Sequence, residues 1–80
     1  MDVRFTQHAE DVIAERELKR EWIERALDHP AKVVASPDGT QHHLVRIARC
    51  GDRVLRVVIN PGTQPPSVIT AFFDRRVKET

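Results

Sequence analysis

At His29-Pro30 the spacing of apolar residues changes from helical to strand-like, and that one switch decides what the chain can become. Before it, Ala9, Val12 and Ile13 fall on one stripe, and Trp22, Ile23, Ala26 and Leu27 recur at three- and four-residue spacing on a second. Thr6 is placed to cap a first helix running to about Arg16. Glu17 and Leu18 break the pattern, and a second helix is expected from about Lys19 to Asp28. Pro30 ends it, because the residue before a proline is pushed out of helical geometry.

Beyond Pro30 the period is two. Lys32 to Ala35 reads as a strand, followed by the turn chemistry of Pro37-Asp38-Gly39. A long strand from about Gln41 to Cys50 meets the hairpin signal Gly51-Asp52, and Arg53 to Ile59 returns. Asn60-Pro61-Gly62 and Gln64-Pro65-Pro66 make a stiff loop before a last β-branched and aromatic strand, Ser67 to Phe73. Helices grouped before strands argue for an α+β fold. The expectation is one domain over residues 1–80, with helices at about 6–28 and a sheet at about 32–74. Its two N-terminal helices pack on one face of a four-stranded antiparallel sheet. Alternation assigns Leu55, Val57 and Ile59 to the helix side and Val54, Arg56, Val58 and Asn60 to the other. On the last strand it groups Val68, Thr70 and Phe72 against Ile69, Ala71 and Phe73.

Composition narrows the function classes. Of the 80 residues 40% are hydrophobic and 31% charged, an ordinary globular balance. No apolar run approaches the roughly 20 residues of a spanning helix, so no membrane partner is expected. Met1-Asp2-Val3-Arg4 has no signal-peptide pattern. The single Cys50 cannot form an internal disulfide, which points to a reducing, cytoplasmic setting. A domain this small has a marginal core, and self-association or a permanent partner is a natural source of further stability. The net charge of +1 conceals a division. Residues 1–30 hold eight acids and five bases, whereas residues 31–80 hold four acids and eight bases. A segregated basic half can face phosphate, although arginines on a solvated sheet face read the same way.

The chemistry is narrowed mainly by what the chain lacks. His42 and His43 are adjacent, so in a strand they point to opposite faces and cannot chelate one ion; no metal and no cofactor is expected. Cys50 has no CxxC partner, and three glycines supply no phosphate loop. The residue types for a metal-free cut of RNA are present. Histidine can take the ribose 2′-hydroxyl proton and return one to the 5′-oxygen, and arginine stabilises the extra charge on phosphorus. His8, Arg16, His42 or His43, Arg46, Arg56 and Thr70 supply them. Arg46, Arg49, Arg53, His42 and His43 are candidates for RNA contact. The plainer readings are a capping bond for His8, an ion pair for Arg16 and ordinary strand preference for Thr70.

The wording of the sequence adds a resemblance. Phe5-Thr6-Gln7-His8-Ala9, then Glu15-Arg16, then Asp28-His29-Pro30 resemble the start of the bacterial family called domain of unknown function 4258. Arg53-Val54-Leu55-Arg56-Val57-Val58-Ile59-Asn60-Pro61 and Val68-Ile69-Thr70-Ala71-Phe72-Phe73 resemble its end. That family is similar to the barnase–EndoU–colicin–RelE group of ribonuclease folds, many of them toxins. The resemblance implies a metal-independent endoribonuclease of toxin type, from a toxin–antitoxin pair or a polymorphic system, with RNA and a cognate antitoxin as partners. It would make His8 the helix-borne acid or base and Arg16 a phosphate or ion-pair residue. Arg56 would be a phosphate ligand and Thr70 a phosphate contact. The other class left open is a non-catalytic RNA- or protein-binding module of the same fold. Two departures stand out: the family usually has Gly-Ile after Glu-Arg where this chain has Glu17-Leu18, and the C-terminal tyrosine of the RelE branch is missing.

Overall fold

The computed structural model describes residues 2–48, 51 and 53–74. Seven elements follow in order: β1 (Arg4–Phe5), α1 (Gln7–Glu15), α2 (Arg20–Asp28), β2 (Lys32–Ala35), β3 (Gln41–Ile47), β4 (Arg53–Asn60) and β5 (Ser67–Asp74). They form one five-stranded sheet in the order β1-β5-β4-β3-β2. No described helix is long and apolar enough to cross a membrane.

The helices begin where capping chemistry puts them. Thr6 has extended backbone and its hydroxyl oxygen accepts from the Ala9 N–H at 3.1 Å, which supplies one of the orphan donors of the first turn of α1. The same hydroxyl donates to the Val68 carbonyl at 3.1 Å, so the cap also ties α1 to the sheet. Helix α1 ends in a Schellman turn. The Leu18 N–H reaches the Ile13 carbonyl at 3.0 Å and the Glu17 N–H the Ala14 carbonyl at 3.2 Å. Glu17 occupies the left-handed position with φ +53°, and Leu18 turns back into the core beside Ile13. The pattern break at Glu17-Leu18 is therefore a built corner.

The expected four-stranded antiparallel sheet is corrected to a mixed five-stranded one, still α+β overall. The added strand β1 runs parallel to β5 and pairs Arg4 with Ser67 and Phe5 with Val68. The Arg4 N–H donates to the Pro66 carbonyl at 2.8 Å and the Thr6 N–H to the Val68 carbonyl at 3.2 Å. Two residues are too few to show a period, so nothing local in the sequence marks this strand. Strands β2 to β5 form the antiparallel meander. Strand β3 ends at Ile47, short of the expected Cys50; Arg49 and Cys50 lie outside the described residues.

Leu55, Val57 and Ile59 face the helices and are fully buried among Ala9, Ile23 and Ala26, as alternation predicts. Burying each such side chain contributes about 1.5–3 kcal/mol. On β5 strict alternation fails. The register slips between Val58, opposite Thr70, and Ile59, opposite Val68, so Ile69 is a bulged residue. Val68 thereby joins Ala71 on the core side, Phe73 packs against the same cluster, and Thr70 and Phe72 share the helix-free side. Arg20 fastens the start of α2 by an ion pair to Glu10 at 2.9 Å and by stacking 4.2 Å from the Phe5 ring centroid. At the far end of the sheet β2 is an edge strand, with Val33 47% and Val34 37% exposed.

Candidate functional site

Strand β5 is paired with β1 at Ser67 and Val68, and among the described residues no other strand covers its outer edge past the bulge. Helix α1 lies along this edge, and its corner brings Arg16 to it. An Arg16 Nη1 N–H donates to the Ala71 carbonyl at 3.1 Å, which satisfies one edge group and, among the described residues, leaves the other guanidinium donors available. Beside this contact is a cavity of about 510 Å3 lined by Arg16, Leu18, Arg53, Thr70, Phe72 and Phe73. Two guanidinium groups, a hydroxyl and two aromatic rings thus share one concavity, with no carboxylate or imidazole among the described residues that line it. Such a set suits a phosphate flanked by a flat ring.

Three residues singled out from the sequence, Arg16, Arg53 and Thr70, meet here. The others do not. His8 is exposed on α1, and no hydrogen bond or ion pair links it to Arg16 or the sheet among the described residues. His43 is buried, and its Nδ1–H donates to the Ala26 carbonyl at 3.0 Å, which fixes the tautomer and ties β3 to α2. His42 lies on the opposite face, as adjacent strand residues must.

Arg56, expected as a phosphate ligand, is engaged within the protein. Its Nε–H donates to Asp74 Oδ2 at 2.9 Å, with the two side chains 18% and 3% exposed. Its Nη1–H donates to His42 Nδ1 at 2.8 Å. Arginine has no acceptor to offer, so the singly protonated His42 ring carries its proton on Nε2, which lies 3.4 Å from Thr40 Oγ1. The Thr40 hydroxyl donates in turn to Asp38 Oδ1 at 2.6 Å, and this bond, with one from the Thr40 N–H, holds the Asp38 carboxyl below its usual pKa. A chain of polar contacts therefore crosses the helix-free face from Asp38 to Asp74. Arg46 is exposed on that face, in the same row as Val54 and Asp74, whereas Arg53 pairs with Ile47 on the helix side. The expected run of basic residues is split between the two faces, and Arg49 lies outside the described residues.

Leu18, Phe72 and Phe73 were not singled out as site residues. The available signal was the pair of aromatics closing a strand whose antiparallel neighbour begins with Arg53. Among the described residues no three of His, Cys, Asp and Glu cluster closely enough to hold a metal ion.

Fold and cavity together define a small α+β domain with a cationic, aromatic-walled cleft at a partly open sheet edge. The chain belongs to the family described as domain of unknown function (DUF4258), whose family model matches residues 5–73. Neither a curated protein nor a solved structure matches it.

Proposed function

We propose that the protein binds single-stranded RNA, with a backbone phosphate held by Arg16, Arg53 and the Thr70 hydroxyl. The observation that carries this reading is the cavity that unites those three residues with Phe72 and Phe73. Cationic grooves interleaved with aromatic rings suit single strands, because phosphate charge and base faces are available together. The resemblance to RelE-like ribonucleases supports RNA as the ligand. Metal-independent cleavage of the toxin type is the enzymatic form of the same reading. The residues lining the cavity favour binding without turnover, since none of them is an ordinary proton-transfer group at neutral pH.

Fluorescence anisotropy with a labelled single-stranded RNA tests this across a salt series. Affinity should fall with salt at a log–log slope of roughly −0.7 per phosphate contacted. Arg16→Gln and Arg53→Gln should each flatten the slope by about one contact. Binding that is independent of salt, or unchanged in both variants, refutes the proposal. The same RNA should remain intact in excess chelator; a 2′,3′-cyclic phosphate product would restore the ribonuclease reading.

A further inference from the structure

A second concavity of about 320 Å3 lies between α2 and the end of β3, lined by Glu21, Trp22, Arg25, Ile47 and Ala48. Its chemistry differs from that of the first. One cation is balanced by one carboxylate, and an indole forms part of the wall. Glu21 makes it a poor phosphate site, but a carboxylate acceptor and guanidinium donors beside an aromatic ring match the edge and face of a neutral heteroaromatic base. The two concavities adjoin: Trp22 meets Phe73, a wall of the first cavity, at 5.9 Å between centroids and 65° between planes, and Ile47 pairs with Arg53 across β3 and β4. Lys19 Nζ lies 5.7 Å from the Trp22 ring centroid, which adds positive charge beside the indole.

We infer that Trp22, with Glu21 and Arg25, forms a nucleobase subsite next to the Arg16–Arg53 phosphate cavity. The inference rests on the RNA-binding reading and adds which part of the strand goes where. One phosphate sits against the two arginines, and a neighbouring base enters the Trp22 concavity. The ligand must then span both concavities, so a phosphate chain without bases fills only the first.

Trp22 is the only tryptophan and the chain has no tyrosine, so intrinsic emission reports this site directly in the unmodified protein. The probes are a single-stranded RNA of roughly eight nucleotides, within the span such grooves cover, and inorganic polyphosphate. RNA should quench Trp22 emission. Polyphosphate should compete with RNA while leaving the emission nearly unchanged. Trp22→Leu should weaken RNA binding roughly five- to hundred-fold without altering polyphosphate binding, and Trp22→Phe should retain most of the affinity. RNA that binds through Arg16 and Arg53 without quenching Trp22 overturns the subsite and leaves the phosphate cavity standing, as does equal quenching by polyphosphate. Failure of RNA to bind at all overturns both. The quenching arm uses the native protein, so the test survives a Trp22→Leu variant that does not fold.

Discussion

Replacing Glu17 with glycine should stabilise the protein, and the corner after α1 is the reason. Glu17 holds φ at +53° so that the Leu18 and Glu17 N–H groups can close the Schellman turn. A residue with a Cβ pays about 1–2 kcal/mol to sit there, which glycine avoids. Glycine's greater freedom in the unfolded chain offsets about 0.4–1 kcal/mol of that gain. The Glu17 side chain is exposed, and among the described residues it makes no hydrogen bond or ion pair that its removal would lose. The net gain is about 0.5–1 kcal/mol, or roughly 2–8 °C in Tm for a domain of this size. Thermal unfolding followed by circular dichroism measures it, with Glu17→Ala as the control. Alanine keeps the Cβ penalty and should leave Tm close to that of the parent. Because the corner also carries Arg16 to the Ala71 carbonyl, RNA affinity should be unchanged in Glu17→Gly. A lower Tm for Glu17→Gly, as glycine causes within an exposed helix, would refute the left-handed corner.

Three further outcomes follow from the same contacts. Arg56→Leu should cost about 1.5–3 kcal/mol in urea unfolding, because it removes the charge-assisted hydrogen bond to Asp74 together with the one to His42. His43→Leu should cost about 1–3 kcal/mol by leaving the Ala26 carbonyl without its imidazole donor, and RNA affinity should not change. The bonds from Thr40 lower the Asp38 pKa below 3.8 in the folded state, so their contribution is fully present above that value and is lost as the pH falls through the folded pKa. The Tm difference between the parent and Asp38→Asn should therefore be constant near neutral pH and shrink below 3.8.

Much of the fold is legible because its signals are local. Thr6 and Pro30 bound the helical region by capping and by steric exclusion, and Leu55, Val57 and Ile59 reveal their face by alternation alone. What escapes the sequence depends on partners distant along the chain. Strand β1 exists only because Pro66 and Val68 accept its hydrogen bonds. The bulge at Ile69 reverses the face assigned to Val68, and it takes the register of β4 against β5 to see it. The same register brings Asp74 within reach of Arg56 and engages that arginine in an ion pair within the sheet. Arg16, Arg53 and Thr70 are recognisable as phosphate-binding types, but their meeting depends on the corner at Glu17 and on the uncovered edge of β5. His8 and His43 show the converse. Their chemistry suits catalysis, while their positions are an exposed helix face and a core hydrogen bond.

The claim that Arg16, Arg53 and Thr70 form the RNA site is tested most directly by mapping backbone amide shifts on a 15N-labelled sample. The titrant is a short single-stranded RNA at low salt. The largest shifts should fall at Arg16, Leu18, Arg53 and Thr70 to Phe73, with a second group at Glu21 to Arg25, and both should fade as salt is raised. Shifts confined to the exposed edge of β2 around Val33 and Val34, or no shifts at any RNA concentration, would contradict the account.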